Sequence, residues 1–245
     1  MPEILKDRVA LVTGGSRGIG RAISLALATE GAAIAVNYRK RENEAADVVA
    51  EIERAGGRAI AVRADVSIND EVQAMIAEVN SRLGAIDVLV NNAGMASIVD
   101  IDAITEAQFD RMLAVNLKSA FLCTQAVLRG MRQRRWGRII NMSSLAARGA
   151  GIVGVHYNAS KAGLEGLTRG YAARLAPDGI TVNAVAPGPV DTEMAEPLKA
   201  ANVAARIPLG RFAEPEEVAQ VVMLLVRDGY LTGQTIPVNG GLSFI

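Results

Sequence analysis

Short apolar segments alternate with longer amphipathic segments along almost the whole chain. The short segments are rich in Val, Ile and Ala and lack polar alternation, which is typical of strands buried on both faces. They predict strands at Val9–Thr13, Ala33–Tyr38, Arg58–Val62, Ile86–Asn91, Arg138–Met142, Thr181–Ala186 and Thr235–Val238. The longer segments predict helices at Gly18–Thr29, Glu42–Ala55, Asn69–Leu83, Glu106–Arg134, Tyr157–Leu175 and Pro215–Val226. Because strands and helices alternate strictly, we predict an α/β Rossmann fold, a doubly wound, seven-stranded parallel sheet with helices on both faces.

Local signals mark several boundaries of these elements. Asn69 is a predicted N-cap, and Gly56 and Gly84 are predicted helix ends. The segment 187–212 has no strand pattern and is rich in Pro, Ala and charge. It follows the carboxyl end of a predicted strand, where folds of this kind bind ligands. We interpret this segment as a substrate lid, the alternative being an ordinary surface excursion.

Length and charge narrow the class of protein. The 245 residues suffice for a single α/β domain, 1–245. The 26 basic and 26 acidic side chains cancel, which argues against nucleic acid or an anionic membrane as a partner. The charged N-terminus has no signal-peptide pattern, and no apolar run approaches the roughly 20 residues of a membrane span. We therefore expect a cytoplasmic protein.

The content of cysteine and of small residues adds two expectations. The single Cys123 lies in the apolar sequence AFLCTQAVL, so we expect it on a buried helix face, with no internal disulfide and no metal site. The 24 glycines and the low aromatic content of 4% suit helices packed closely on a sheet around a ligand bound by the backbone.

Tyr157, Lys161 and Ser144 form a candidate acid–base group. Tyr157 and Lys161 are four positions apart, so on a helix they share one face. A fixed ammonium there would lower the pKa of the phenol from its ordinary value of about 10. Ser144 lies thirteen positions before Tyr157, at the end of a predicted strand, where its hydroxyl could hold a substrate oxygen. The set predicts proton transfer to or from an alcohol or a carbonyl.

A glycine-rich loop, TGGSRGIG, joins the first predicted strand directly to the first predicted helix. Gly14, Gly18 and Gly20 allow a sharp turn, a close approach of the backbone to a phosphate, and tight packing of the helix on the sheet. The loop predicts that a dinucleotide binds with its pyrophosphate at the positive end of this helix.

The end of the second predicted strand indicates which dinucleotide binds. Folds that bind NAD usually place an acidic residue there to hold the ribose 2′-hydroxyl. This chain has Tyr38 at that place, Arg39 next to it, and Arg17 inside the glycine loop. Loss of a carboxylate and gain of two guanidinium groups favour a 2′-phosphate, which predicts NADP(H) as the cofactor. The alternative is a solvated run of charge, and this is our interpretation of Lys40 and Arg41.

These motifs, with NNAG at Asn91–Gly94, Asn116 and PG at Pro187–Gly188, resemble the short-chain dehydrogenase/reductase superfamily in order and spacing. The resemblance covers essentially the whole chain. It implies that Asp65 and Val66 contact the adenine and that Val190 and Thr192 bind the nicotinamide carboxamide. The cofactor-binding residues that it implies are Gly14, Ser16, Arg17, Gly18, Ile19, Gly20, Arg39, Asp65, Val66, Asn92, Ala93, Gly94, Tyr157, Lys161, Pro187, Gly188, Val190 and Thr192.

The resemblance also implies the catalytic roles. Tyr157 would be the acid–base residue, and Ser144 would orient the substrate carbonyl. Lys161 would bind the nicotinamide ribose and lower the pKa of Tyr157, while Asn116 would hold a water that relays protons to Lys161. Ser143 is expected to be structural. The only histidine, His156, stands directly before Tyr157 and could be a substrate contact. Because adjacent helix positions point in different directions, we do not expect it to be a catalytic residue.

Within the superfamily the chain is most similar to 3-oxoacyl-(acyl-carrier-protein) reductases, through VLRGM, GRIIN, YLTGQT and VNGG. This implies NADPH-dependent reduction of 3-oxoacyl thioesters in fatty acid biosynthesis. The alternatives are a reductase or dehydrogenase of another small ketone, alcohol or sugar, and a regulator that binds NADP(H) without catalysis. VRDGYLTG is shorter than the usual connection before the last strand, which raises doubt about the local packing.

Two further expectations concern partners. Arg129, Arg132, Arg134 and Arg135 form a basic cluster that would suit an acidic acyl carrier protein or, equally, a solvated helix end. The predicted helix at Tyr157–Leu175 has small or apolar residues on more than one face, so it can cover the sheet and still pack elsewhere. The resemblance then implies a homo-oligomer, a tetramer built as a dimer of dimers.

Overall fold

The computed structural model describes residues 4–150 and 152–244. Residues 1–3, where the charged N-terminal sequence begins, and residues 151 and 245 lie outside the described residues. Seven strands form one parallel sheet in the order β3-β2-β1-β4-β5-β6-β7. They are β1 Val9–Val12, β2 Ala33–Tyr38, β3 Ala59–Arg63, β4 Val88–Asn91, β5 Gly137–Met142, β6 Ile180–Pro187 and β7 Thr235–Val238.

The helices lie between these strands along the chain. They are α1 Gly18–Thr29, α2 Glu42–Arg54, α3 Asn69–Arg82, α4 Glu106–Leu113, α5 Ser119–Arg134, α6 Val155–Leu175, α7 Glu196–Ala200 and α8 Pro215–Arg227. A π-helical segment, Ala114–Lys118, joins α4 to α5. No helix among the described residues is both long and apolar enough to cross a membrane.

Two hydrophobic layers cover the two faces of the sheet. On one face, Ile23 of α1 and Val222 of α8 pack in a cluster that includes Val36 of β2. On the other face, Met75 of α3 and Cys123 of α5 pack in a cluster that includes Leu89 of β4. Full burial of a side chain of this size contributes about 1.5–3 kcal/mol. The predicted fold class, a doubly wound parallel sheet with helices on both faces, is confirmed.

The strand order places a crevice at the centre of the sheet. The chain moves outward from β1 through β2 to β3 and then returns to add β4 on the opposite side of β1. The loops after β1 and β4 therefore separate at the carboxyl edge of the sheet. A reversal of this kind is where open α/β sheets bind their ligands, and the candidate residues lie along this edge.

The predicted helix Glu106–Arg134 is broken in the structure by the π-helical segment. The reason is a side chain rather than a helix-breaking residue: the amide of Asn116 turns inward and bonds to the backbone of Met95. Single π-helical turns of this type often occur at functional sites. A helical periodicity cannot reveal such a turn, because the contacts that cause it come from elsewhere in the chain.

Two of the three residues predicted to mark helix boundaries do so in the structure. Gly56 and Gly84 follow α2 and α3 in left-handed conformations, with φ of +86° and +113°, as expected for glycine at a helix end. Asn69 is not an N-cap, because α3 begins at this residue and the extended Ile68 occupies the cap position. The Asn69 amide instead lies 3.4 Å from Oδ1 of Asp70, to which it donates a hydrogen bond.

The segments near the C-terminus are more structured than their sequences indicate. The segment 187–212 contains α7 and two 3₁₀ turns, and it closes over Ala195, Ile207 and Phe212. The short connection before β7 is held by Asn183 of β6, whose Nδ2 donates to Leu231 O at 2.8 Å and whose Oδ1 accepts from Gln234 N at 3.0 Å. These hydrogen bonds hold the short connection before β7 against β6, so the local packing there is well defined.

Candidate active site

The glycine loop is packed too tightly for side chains at its turns. Gly14 and Gly18 have φ of +60° and +50°, a region that disfavours residues with a Cβ. A Cβ on Gly20 would lie 2.2 Å from Gly14 O and 2.5 Å from Nδ2 of Asn92. Among the residues that the structure describes, no side chain caps the first turn of α1. Its free N–H groups and positive end therefore fit the pyrophosphate of a dinucleotide.

Two polar residues that the sequence prediction did not include hold this loop in place. Oγ1 of Thr13 accepts from Asn92 N at 2.9 Å and Ala93 N at 3.0 Å, which joins the glycine loop to the NNAG segment. Oδ1 of Asn37 accepts from Gly14 N at 3.1 Å. A buried polar side chain within an otherwise apolar strand is the signal that could have identified Asn37.

The arginines predicted to bind a 2′-phosphate lie in two separate ion pairs. Arg17 pairs with Glu193, and NH2 of Arg41 lies 3.1 Å from the same carboxylate. Arg39 instead pairs with Asp65, at 3.3 Å. Arg41 is exposed, in keeping with its interpretation as a solvated charge, and it also pairs with Glu193. The two guanidinium groups that converge are those of Arg17 and Arg41, and together they hold one anionic group.

Asp65, the predicted adenine contact, is an ionised acceptor. Burial alone would raise its pKa, but hydrogen bonds from Ser67 and the guanidinium of Arg111 lower the pKa of Asp65 to about 2. NH2 of Arg111 lies 3.2 Å from Oδ2 of Asp65. Val66 beside it is buried. A permanently charged carboxylate next to an apolar side chain suits the amino group and the flat face of an adenine.

The four predicted catalytic residues come from three elements that meet at the carboxyl edge of the sheet. Ser144 follows β5, Tyr157 and Lys161 lie on α6, and Asn116 lies in the π-helical segment. Nζ of Lys161 is 5.7 Å from the centroid of the Tyr157 ring. A Cβ on Gly94 would lie 3.4 Å from Oδ1 of Asn116 and 3.6 Å from Nζ of Lys161. The NNAG segment thus reaches the catalytic group, and a methyl group at position 94 would be in van der Waals contact with it.

The protonation of Tyr157 and Lys161 differs from the expectation. Burial raises the pKa of Tyr157, and its hydrogen bond with the Ser144 hydroxyl opposes this rise. Burial lowers the pKa of Lys161 to about 8. Lys161 was expected to lower the pKa of Tyr157, but its ammonium points elsewhere: Nζ donates to Met142 O at 2.7 Å. In this structure the tyrosine is therefore protonated at neutral pH, and Ser144 is what limits its pKa.

Asn116 is buried and bonded on both ends of its amide. Nδ2 donates to Met95 O at 2.9 Å and to Ser160 Oγ at 3.1 Å, while Oδ1 accepts from Met95 N at 2.8 Å. A carboxamide oxygen has two lone pairs, so Oδ1 can accept one further hydrogen bond. The geometry fixes Asn116 beside Lys161, and its role in a water relay stays a prediction.

His156 and Ser143 occupy structural positions. Nε2 of His156 lies 3.0 Å from Oγ of Ser97, and the ring is buried against Gly154. Nδ1 has no hydrogen-bond partner among the residues that the structure describes. Oγ of Ser143 lies 3.3 Å from both Lys161 O and Oε1 of Glu165. His156 therefore joins the start of α6 to the loop after β4 through Ser97, and Ser143 points behind the catalytic group rather than toward it.

The remaining predicted cofactor residues follow β6 and line the glycine loop. Gly188 N donates to Val238 O at 2.8 Å, and a Cβ on Gly188 would lie 3.0 Å from Cα of Asn239. A Cβ on Gly18 would lie 3.1 Å from Cγ2 of Thr192, so the start of the 187–212 segment touches the glycine loop. The others at this edge are Ser16 and Val190, which are buried, and Ile19 and Pro187. Among the described residues, no group of three or more His, Cys, Asp and Glu is placed to hold a metal ion.

Comparison with known proteins finds relatives over almost the whole chain. A family model described as Enoyl-(Acyl carrier protein) reductase matches residues 14–243. A 3-oxoacyl-[acyl-carrier-protein] reductase of Synechocystis sp. is 44% identical over 241 residues, covering 97% of this chain and 98% of that protein. An acetoacetyl-CoA reductase of Shinella zoogloeoides is 43% identical over 246 residues, covering 98% of this chain and 100% of that protein. The crystal structure of a short-chain type dehydrogenase/reductase from Mycobacterium marinum has a TM-score of 0.93 at 36% identity, covering 98% of this chain and 97% of that one.

The chain therefore belongs to the short-chain dehydrogenase/reductase family. It is an oxidoreductase that acts on CH–OH and keto groups, and the similarity to 3-oxoacyl-acyl-carrier-protein reductases is confirmed. The family model is described by an enoyl substrate, whereas the two relatives are named for keto substrates. The names differ in the group that is reduced, a C=C bond or a keto group, so the residues of the site must indicate which of the two this protein reduces.

Proposed function

We propose that this protein reduces the keto group of 3-oxoacyl thioesters to a secondary alcohol with NADPH, as a step of fatty acid biosynthesis. The observation that supports this most is the convergence of Ser144, Tyr157 and Lys161 beside the glycine loop. Two hydroxyl groups next to a dinucleotide site can hold a carbonyl oxygen and protonate it. The names of the 44%- and 43%-identical relatives agree with a keto substrate.

The residues of the chain would act on the carbonyl oxygen. The nicotinamide, when bound, supplies the hydride. Ser144 and Tyr157 donate hydrogen bonds to the keto oxygen, and Tyr157 then gives its proton to the developing alkoxide. The pKa of Tyr157 is raised by burial and that of Lys161 is lowered to about 8. Lys161 is therefore the stronger acid, and it can return a proton to the tyrosinate in a favourable step. Asn116 would hold a water that relays protons to Lys161.

The glycine loop, the uncapped end of α1 and the pair Arg17 and Arg41 would hold NADPH. A carboxylate, that of Glu193, lies between the two guanidinium groups, and a pair of cations placed in this way would suit an anionic group of the cofactor. A 2′-phosphate carries more charge than a carboxylate and offers more acceptor oxygens. Asp65 with Val66 would hold the adenine, and Val190 with Thr192 would hold the carboxamide. NADPH over NADH is accordingly part of the proposal.

Replacing Arg17 with Ala is expected to weaken NADPH binding by about ten- to a hundredfold, because a charge-assisted hydrogen bond contributes about 1.5–3 kcal/mol. NADH, which lacks the phosphate, is expected to bind within about twofold of the wild-type affinity. Fluorescence titration with each cofactor measures both constants. Arg21→Ala, which removes an ion pair between α1 and Glu51 of α2, is the matched control. Equal losses for NADPH and NADH contradict a phosphate-binding role.

The substrate class is tested by following NADPH oxidation with acetoacetyl-CoA, crotonyl-CoA, a simple methyl ketone and a keto sugar. We expect kcat/KM for acetoacetyl-CoA to exceed that for each other compound by at least about tenfold, since the thioester adds binding energy remote from the reacting carbon. Faster reduction of crotonyl-CoA would indicate an enoyl reductase. NADPH binding without turnover on any compound would indicate the regulator.

An acyl carrier protein and copies of this chain are the proposed partners. In the basic cluster, Arg132 pairs with Asp178 and Arg134 with Asp87. Arg129 and Arg135 are the exposed members without an acidic partner among the described residues, and Arg135 donates to Pro177 O at 2.8 Å. A dimer of dimers is proposed because large apolar side chains are exposed on α5, α8 and the C-terminal segment, namely Phe121, Leu224, Tyr230 and Phe244. We also propose a single domain, 1–245, with the 187–212 lid, located in the cytoplasm.

A further inference from the structure

The loop that carries Ser144 is fastened to α6 by two side chains of that helix. The first is Asn158, the residue after Tyr157. Its Nδ2 donates to the carbonyls of Ala146 at 2.7 Å, Gly149 at 2.8 Å and Ala150 at 3.0 Å. The 144–150 segment is thereby held close to the start of α6 through neutral hydrogen bonds to its backbone.

The second side chain is Glu165, two turns further along α6. Its Oε2 accepts from Nε of Arg148 at 2.9 Å. The side chain of Glu165 is only 6% exposed, whereas that of Arg148 is 38% exposed. A carboxylate is costly to bury unless it is both paired and hydrogen-bonded. The loop residue Arg148 is therefore the group that makes an ionised Glu165 tolerable inside the protein.

The other oxygen of Glu165 contacts Ser143, which lies next to two of the catalytic residues, Ser144 and Lys161. Oε1 lies 3.3 Å from Oγ of Ser143, and the same hydroxyl lies 3.3 Å from the carbonyl of Lys161. Ser143 immediately precedes Ser144 in the chain, and Glu165 is one helical turn beyond Lys161. One buried carboxylate thus contacts the residue before Ser144 and, through Arg148, the loop after it.

We infer that Glu165 and Arg148 are positioning residues for the reduction: their ion pair sets the 144–150 segment so that the Ser144 hydroxyl stays at Tyr157. This inference rests on the proposed roles of Ser144 and Tyr157. An apolar residue at position 165 would pack on the same buried face of α6, which includes Leu164 and Thr168, but it would not determine the direction of the loop. A charged, hydrogen-bonded contact can fix one arrangement among several, although it contributes little net stability.

The test compares Glu165→Gln, Arg148→Met, the double variant and Arg148→Lys. We expect each single variant to lower kcat by about ten- to a hundredfold, the loss that follows a displacement of about 1 Å in a catalytic group. The double variant is expected to lose no more than either single one, because the two residues act as one pair. Arg148→Lys, which keeps the charge, should recover part of kcat. NADPH affinity should stay unchanged in all four.

A second readout separates positioning from stability. The Ser144 hydroxyl lowers the pKa of Tyr157 relative to burial alone, so a displaced Ser144 lets that pKa rise. The tyrosinate absorbance of Tyr157, taken as the difference between each variant and the same variant carrying Tyr157→Phe, should then titrate at higher pH. The acidic limb of 3-hydroxyacyl thioester oxidation, which needs the tyrosinate, should move in the same direction. Arg82→Met, which breaks an exposed pair with Glu78, is the control.

The inference is overturned if the variants lower only the melting temperature, with kcat and the titration of Tyr157 unchanged. If Glu165→Gln does not fold, the two Arg148 variants decide alone, since that side chain lies nearer the surface. Ser144→Ala separates this inference from the proposed function. If Ser144→Ala keeps full activity, the proposed role of Ser144 itself is overturned. If Ser144→Ala loses activity while Arg148→Met keeps full activity, only the positioning role of Glu165 and Arg148 is overturned.

Discussion

Tyr157→Phe is expected to lower kcat for ketone reduction by about a thousandfold, within the range of about 10²–10⁴ that a positioned proton donor contributes. The ring is half-buried on α6, and phenylalanine fills the same volume, so the fold and NADPH affinity are expected to be unaffected. Burial raises the pKa of Tyr157. The phenol is therefore protonated at neutral pH, and its loss removes the acid that reduction requires.

The measurement is kcat and KM with acetoacetyl-CoA, together with an independent NADPH titration. Tyr171→Phe is the matched control, because it also removes a phenol from α6. The hydroxyl of Tyr171 accepts a hydrogen bond from Nε2 of Gln125 at 2.7 Å. We expect that control to keep nearly all activity. Retention of more than about a tenth of the activity by Tyr157→Phe would place proton donation on another group, since such a small loss is below the range for general acid catalysis.

Lys161→Met is expected to abolish turnover and, at the same time, to stabilise the protein. Burial lowers the pKa of Lys161 from 10.5 to about 8, so the unfolded chain binds this proton more tightly than the folded chain does. Below about pH 8 Lys161 is charged in both states, so the full cost of burying its ammonium lowers the stability of the folded state. With the lost bond from Nζ to Met142 O subtracted, we expect a gain of about 1–3 kcal/mol in the free energy of unfolding near pH 7.

The pH dependence gives this prediction a second check. As the pH rises from about 8 towards 10.5, the folded protein releases the Lys161 proton while the unfolded chain still holds it. The penalty shrinks over this interval, so the wild-type protein should approach the stability of Lys161→Met. Urea denaturation near neutral pH and in alkaline buffer measures both proteins, with the exposed Lys6→Met as the control. A variant less stable than wild type at neutral pH would mean that the hydrogen bond to Met142 O outweighs the cost of burial.

Local patterns in the sequence were sufficient for the sheet and for the cofactor end. Apolar runs such as Ala33–Tyr38 predict buried strands because burial on both faces removes polar alternation. The glycines at 14, 18 and 20 are equally local, since positive φ and close packing allow no other residue there. Spacing alone also placed Ser144, Tyr157 and Lys161 correctly at the ends of β5 and on α6.

The contacts that tune the site could not be predicted, because they join distant parts of the chain. Arg17 meets Glu193 across 176 residues, and Asn116 meets Met95 across 21. The direction of the Lys161 ammonium depends on a strand carbonyl, that of Met142, which no side-chain pattern encodes. Sequence spacing shows that two groups can lie on one helix face, but not which partner the charged group selects.

The decisive measurement is transfer of deuterium to acetoacetyl-CoA from NADPH labelled at the transferable position of its nicotinamide ring. Mass spectrometry of the wild-type reaction should find a 3-hydroxybutyryl thioester with one deuterium on the former keto carbon. Tyr157→Phe, with the labelled NADPH equally bound, should give almost none of this product in the same time. If the wild-type protein, saturated with NADPH, leaves the thioester unreacted, this protein does not reduce the keto group of 3-oxoacyl thioesters.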